Sequence, residues 1–206
     1  MKQGNWLRIT VLILAVSVLH FCSVNPLAPE VDGGMSLENG IPLDQITWAK
    51  WNPEVIAELE AELDGALPRR ARGFESKKIR NHEGGTVGGR KTFGNVVEVP
   101  EYAFDENKLD ISVRVLNMDR GGQSGAGVEF LPSRNYDADM NITLSWDFLD
   151  VEDDDWETLN LQPYYSEDQG VTWSPVEAYS VDGDNRTINF SIDHFTQYGW
   201  ALDEDD

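Results

Sequence analysis

The sequence predicts an all-β protein: an antiparallel β-sandwich of seven or eight strands, preceded by a flexible tether and one short amphipathic helix. Three observations carry that expectation. Apolar residues alternate with polar ones over short runs, as where Leu109, Ile111, Val113 and Val115 interleave with Asp110, Ser112 and Arg114. A strand sends successive side chains to opposite faces, so a period of two marks a strand with one face in a core. The runs are split by clusters of Gly, Pro, Asn and Asp, the residues of tight turns. The length of 206 residues suits one domain with appendages rather than several domains.

Residues 1–22, MKQGNWLRITVLILAVSVLHFC, place Lys2 and Arg8 ahead of the apolar run Ile9–Leu19. The run is too short to span a bilayer as a helix, and its layout is that of an export signal. Cys22, the one cysteine, closes the run, so the remainder forms no internal disulfide. "LHFC" resembles the lipidation motif of bacterial lipoproteins at Leu19 and Cys22, with Phe21 where a small residue is usual. Two outcomes stay open: a plain signal cut nearby, and a lipid on Cys22. Either places the protein outside the cytoplasm, in the cell envelope or beyond it.

Residues 23–45 are rich in Pro, Gly and acidic side chains and read as the tether. Residues 46–82 read as a short helix followed by a basic linker. In WNPEVIAELEAELDGAL, Asn52 suits the helix cap, Pro53 the first helical position and Gly65 the exit. Ile56, Leu59 and Leu63 fall on one stripe, which is expected to pack on the chain's own domain. Between Arg69 and Lys91 stand eight of the 16 basic residues, expected as a linker lying against an acidic domain. The sandwich is expected over 83–202 and an acidic tail over 203–206. Its strands follow Val97 and Val99; Leu109 to Val115; Val128 and Phe130; and Ile142, Leu144, Trp146 and Phe148. Leu159, Leu161 and Tyr165 come next, then Val171 and Trp173, then Ile188, Phe190 and Ile192.

The formal net charge is −21, which disfavours nucleic acid as a partner. Contact with a membrane is expected only through the leader or a lipid on Cys22.

"YYSEDQGVTWSP" holds Ser166, Asp168, Gly170, Thr172 and Trp173 in the spacing S-x-D-x-G-x-T-W. That spacing resembles the Asp-box of sialidases and other β-propeller glycosidases. The box occurs once, and a propeller of at least four blades of roughly 40–50 residues does not fit this length. A sialidase also needs an arginine cluster for its substrate's carboxylate, and residues 135–185 contain neither Arg nor Lys. The five residues are therefore expected to build a structural hairpin. Asp168 would accept backbone N–H groups, Gly170 would supply a positive φ, and Trp173 would pack against the turn.

"GGTVGG", "VVEVPEYAF", "VEFLPS", "MNITLSW", "LQPYYSEDQGVTW" and "INFSIDHFTQYGWAL" occur in that order between Glu83 and Leu202. Together they resemble the β-sandwich domain of ankyrins, netrin receptors and tight-junction scaffolds, which has relatives among bacterial exported proteins. The resemblance implies protein interaction and scaffolding rather than turnover. Some relatives cleave themselves at the equivalent of "HFT". Here His194 would take the proton of Thr196, whose oxygen would attack the carbonyl of Phe195. Thr196 stands where those relatives carry serine. On one continuous strand Ile188, Phe190, Ile192, His194, Thr196, Tyr198, Trp200 and Leu202 would share a face, unless a bend near His194 breaks the parity.

"SWDFLDVEDDDWE" gathers carboxylates, of which Asp150, Glu152, Asp153, Asp154 and Asp155 are candidate calcium ligands. An EF-hand register from Asp150 fails, with Asp155 at the glycine position and Leu161 at the final glutamate position. A solvated acidic loop is the favoured reading. No cofactor is expected, and His20, His82 and His194 assemble no zinc spacing or Ser/His/Asp set. The expectation is an exported, non-enzymatic module that binds a protein or a glycan. Its rivals are a domain nicked between Phe195 and Thr196 and a calcium-dependent carbohydrate-binding module.

Overall fold

A computed structural model describes residues 40–63, 73–120, 123–151, 159 and 161–202. Cys22, most of the tether, Glu152 to Asp155 and the acidic tail lie outside these residues. Among the described residues twelve strands and one α-helix follow in order: β1 (Ile41–Pro42), α1 (Pro53–Leu63), β2 (Phe74–Arg80), β3 (Gly85–Gly88) and β4 (Val96–Val99). Next come β5 (Lys108–Arg120), β6 (Gln123–Leu131), β7 (Asn135–Ser145), β8 (Leu161–Ser166) and β9 (Thr172–Pro175). The last are β10 (Ser180–Asp182), β11 (Thr187–His194) and β12 (Gln197–Leu202). They form two antiparallel sheets, β1-β9-β8-β12-β6-β5-β2 and β10-β11-β7-β4-β3. The sandwich is the expected one; its strands exceed eight because β1, β2, β3 and β10 lack the apolar alternation that marks a strand in sequence, and because the run from Ile188 to Leu202 is two strands, β11 and β12.

The alternating residues fill the core. Ile111, Val113 and Val115 of β5 are buried, as are Ile142 and Leu144 of β7, Ile188 of β11, and Tyr198 and Trp200 of β12. Between them the outward Arg114, Asn141 and Ser191 are exposed. Part of the expected basic linker belongs to the sandwich. Its residues Phe74–Arg80 pair with β5 as the edge strand β2, with Ile79 alone buried. Lys77, Lys78 and Arg80 on an edge discourage pairing with another chain, which is why the stretch reads as charged rather than as strand.

The end of the expected tether is also part of the fold. Ile41 and Pro42 pair with Trp173 and Thr172 of β9. Beyond them the chain wedges into the larger sheet. β12 and β6 pair directly only from Gln197↔Glu129 to Gly199↔Gly127. Past that point Ala49 N–H donates to Trp200 O at 2.9 Å, and Ala126 N–H donates to Ala49 O at 2.7 Å. Leu202 N–H donates to Thr47 O at 2.7 Å. The wedge therefore satisfies backbone groups that the parting of β6 and β12 exposes.

The two tryptophans of this segment lie on opposite sides of it. Trp51 points inward and meets Trp200 at 5.3 Å between ring centroids, with its Nε1–H donated to Leu116 O at 2.8 Å. Trp48 lies outside, in a second cluster with Leu43, Ile46, Trp173 and Ala201. The helix begins as expected: Val55 N–H donates to Asn52 Oδ1 at 3.0 Å. Its deepest residue is Val55, with Ile56 and Leu59 partly buried beside it.

Candidate functional site

Ser166, Asp168, Gly170, Thr172 and Trp173 build the turn between β8 and β9 and its flanks. Asp168 Oδ1 accepts Val171 N–H at 3.0 Å and Thr172 N–H at 2.9 Å, while Oδ2 accepts the Thr172 hydroxyl at 2.7 Å. The Ser166 hydroxyl donates to Asp168 at 2.8 Å and accepts Gly170 N–H at 2.7 Å. Gly170 has φ 83° and Gln169 φ 61°, so two consecutive residues are left-handed, which glycine tolerates best. Trp173 Nε1–H reaches Gly170 O at 3.3 Å. The ring does more than cover its own turn. It meets Trp48 edge-on at 4.6 Å and so fastens the incoming wedge to the hairpin.

Burial pushes the Asp168 carboxyl up, but hydrogen bonds from Thr172, Ser166 and Val171 outweigh it and hold the group below its ordinary value. A depressed folded pKa means stability fully present above the unfolded value and lost as pH falls through the folded one. The stability difference between the parent and Asp168→Asn should therefore shrink as the pH is lowered below 3.8. Denaturant midpoints measured across that range check this. A difference that grows on acidification would reverse the assignment.

The second motif, "HFT", sits where the chain changes sheets. β11 ends at His194 in the smaller sheet and β12 begins at Gln197 in the larger. His194 and Thr196 therefore do not share one face of a single strand, because the crossover resets the alternation between them. Phe195 is held on both sides: its N–H donates to Arg134 O at 3.1 Å, and its carbonyl accepts the Ser133 hydroxyl at 2.8 Å. The Thr196 hydroxyl is buried and donates to the carbonyl of Ser166, joining "HFT" to the Asp-box. His194 Nδ1 stands 2.9 Å from Asp193 Oδ1, and Nε2 stands 3.4 Å from Glu167 Oε1. The proton that self-cleavage would send from Thr196 to His194 is here directed to Ser166. Nearby, burial pushes the Tyr198 hydroxyl well up, so it stays protonated and is no base.

Among the described residues, no three His, Cys, Asp or Glu side chains group as a metal site. Asp150 is exposed, and its N–H donates to Lys50 O at 2.7 Å.

A feature that sequence reading missed lies on the outer side of the larger sheet. Two adjoining depressions of about 420 and 610 Å³ share Gln162 and Pro175 in their walls. Tyr164 and Tyr179 line one each, and Gln45 and Thr47 of the N-terminal segment complete the first. Gln162 is pinned: its Nε2 donates to Val176 O at 3.0 Å, and its Oε1 accepts the Tyr179 hydroxyl at 3.4 Å. Among the described residues, the one charged residue in either wall is Glu177. Gln162 and Tyr164 occupy alternate, outward positions of β8, which was the available signal. The far wall comes from residues over a hundred positions earlier, for which no signal existed. No family model matches this chain, and no curated protein matches it.

Proposed function

We propose that this chain is an exported, non-catalytic module that holds a neutral glycan in the groove between Tyr164 and Tyr179. The groove is the observation that carries the reading. Sugars present apolar C–H faces flanked by hydroxyls, and a site for them combines aromatic rings with fixed amide and hydroxyl groups. Gln162 supplies such a group beside both rings, and Gln45 and Thr47 do so beside Tyr164. Among the described residues the walls contain neither Lys nor Arg, and the chain carries −21 overall, so an anionic polysaccharide is repelled. The resemblance of the motif order to ankyrin-type sandwiches supports binding rather than turnover.

Affinity electrophoresis against neutral and acidic polysaccharides tests the reading. Tyr179→Ala is expected to weaken binding of a neutral glycan about tenfold or more, about 1.4 kcal/mol. Its thermal midpoint should change little, because Tyr179 packs at the rim of the core. Binding should persist in a chelator, which separates this reading from a calcium-dependent one. Retarded migration in acidic polymers alone would overturn it.

A further inference from the structure

We infer that Asn185 is an acceptor for an N-linked glycan, and that two neighbouring acceptor sequences are closed by the fold. The inference rests on the reading that the chain is exported. Its sequence carries three Asn-x-Ser/Thr tripeptides: Asn141-Ile142-Thr143, Asn185-Arg186-Thr187 and Asn189-Phe190-Ser191. Such a tripeptide is the acceptor signal of N-glycosylation and is used on accessible loops of secreted proteins.

The structure divides the three. Residues two apart on a strand share a face, so each strand tripeptide presents its Asn and its hydroxyl side by side. β7 and β11 are antiparallel with Asn141 opposite Ser191 and Thr143 opposite Asn189. The Ser191 hydroxyl donates to Asn141 Oδ1 at 2.8 Å, and the Thr143 hydroxyl donates to Asn189 Oδ1 at 2.7 Å. Each acceptor sequence thus spends its hydroxyl on the asparagine of the other. Both strands are interior to the smaller sheet, β11 between β10 and β7, and β7 between β11 and β4. A transferase that bends the tripeptide into its own site would have to pull an interior strand out of two ladders.

Asn185 is placed otherwise. It is exposed, in the turn between β10 and β11. Its side-chain contact is local: Nδ2 donates to Asp182 Oδ2 at 2.7 Å, while its backbone N–H donates to Asp182 Oδ1 at 3.1 Å. An amide nitrogen has two hydrogens, so one can stay on Asp182 while the other is replaced. Arg186 follows at φ 52° and turns the chain back into β11, with its guanidinium on Asp147 at 2.9 Å. The turn is therefore a presented loop whose carboxylate contact survives modification. The donor would be a lipid-phosphate-linked oligosaccharide. The bond from Asn185 Nδ2 to the anomeric carbon forms as the bond from that carbon to the phosphate oxygen breaks. The lipid phosphate leaves, and the amide proton passes to a base of the transferase. The groove of the larger sheet takes no part.

The test is peptide mapping by mass spectrometry of the full chain recovered from its own source cells. The expected result is a hexose-bearing peptide that includes Asn185, with Asn141 and Asn189 bare. Asn185→Gln and Thr187→Ala should remove the modification and Thr187→Ser should keep it, which separates the signal from a change in folding. An unmodified Asn185 in protein found outside the cytoplasm would overturn the inference and leave export standing. Sugar on Asn141 or Asn189 with Asn185 bare would overturn it as well. Chain found in the cytoplasm alone would remove the export reading and the inference together.

Discussion

Trp173→Ala is expected to destabilise the protein by about 3–5 kcal/mol, the usual cost of emptying a fully enclosed tryptophan site. Trp173 is 1 % exposed and belongs to the small outer cluster of Leu43, Ile46, Trp48 and Ala201. Removing it leaves a hole between the Asp-box turn and the N-terminal wedge, and frees Gly170 O from its indole donor. For a domain of this size the loss corresponds to a fall in melting temperature of roughly 6–20 °C. The effect should also be local in origin. In hydrogen exchange, the amides of Ala49, Ala126 and Leu202, which bond into or around the wedge, should lose protection first. A melting temperature within a degree of the parent's would show that the ring holds nothing in place.

Gly199→Val is expected to unseat the wedge from the opposite side. Gly199 faces Gly127 across β12 and β6. A Cβ at 199 would come within 2.7 Å of Trp48 Cζ3 and 3.1 Å of the Ala126 backbone oxygen. The two glycines and Gly125 thus leave a shallow bed in which the Trp48 indole and the Met118 side chain lie. Filling the bed should cost about 1–3 kcal/mol, the range for overpacking a close-fitted site. A double-mutant cycle isolates the cause. In a Trp48→Ala background the same substitution should cost clearly less, because the ring it strikes is gone. Equal costs in both backgrounds would place the strain elsewhere, at Met118 Cε or the Ala126 carbonyl.

These two substitutions act on a part of the molecule that was not legible in the sequence. Ile41 to Trp51 carries no alternation and no helical period, because each residue meets a different kind of neighbour. Ile41 and Pro42 border β9, Trp48 lies in the glycine bed, Ala49 bonds two strands at once, and Trp51 enters the core. A pattern appears in sequence only where consecutive residues share one environment, as along β5 or β7. The same reason hid β2, which lies at an edge with one buried side chain, and the groove, whose walls come from distant segments.

The turn from Ser166 to Thr172 was legible because it is local. Ser166, Asp168, Gly170 and Thr172 satisfy one another within seven residues, so spacing alone implies the bonds. The glycan site proposed at Asn185 shows the opposite case. Three equal tripeptides are indistinguishable as sequence, and strand pairing alone separates the one in a turn from the two that lock each other.

By itself, then, the sequence determined the antiparallel sandwich, the capped helix and the hairpin, since each follows from contacts between near neighbours or from strict alternation about one core. The tertiary structure alone decided the wedge between β6 and β12, the sheet change that parts His194 from Thr196, and the Tyr164–Tyr179 groove. Each of these is set by which distant segments meet, and no local pattern encodes that meeting.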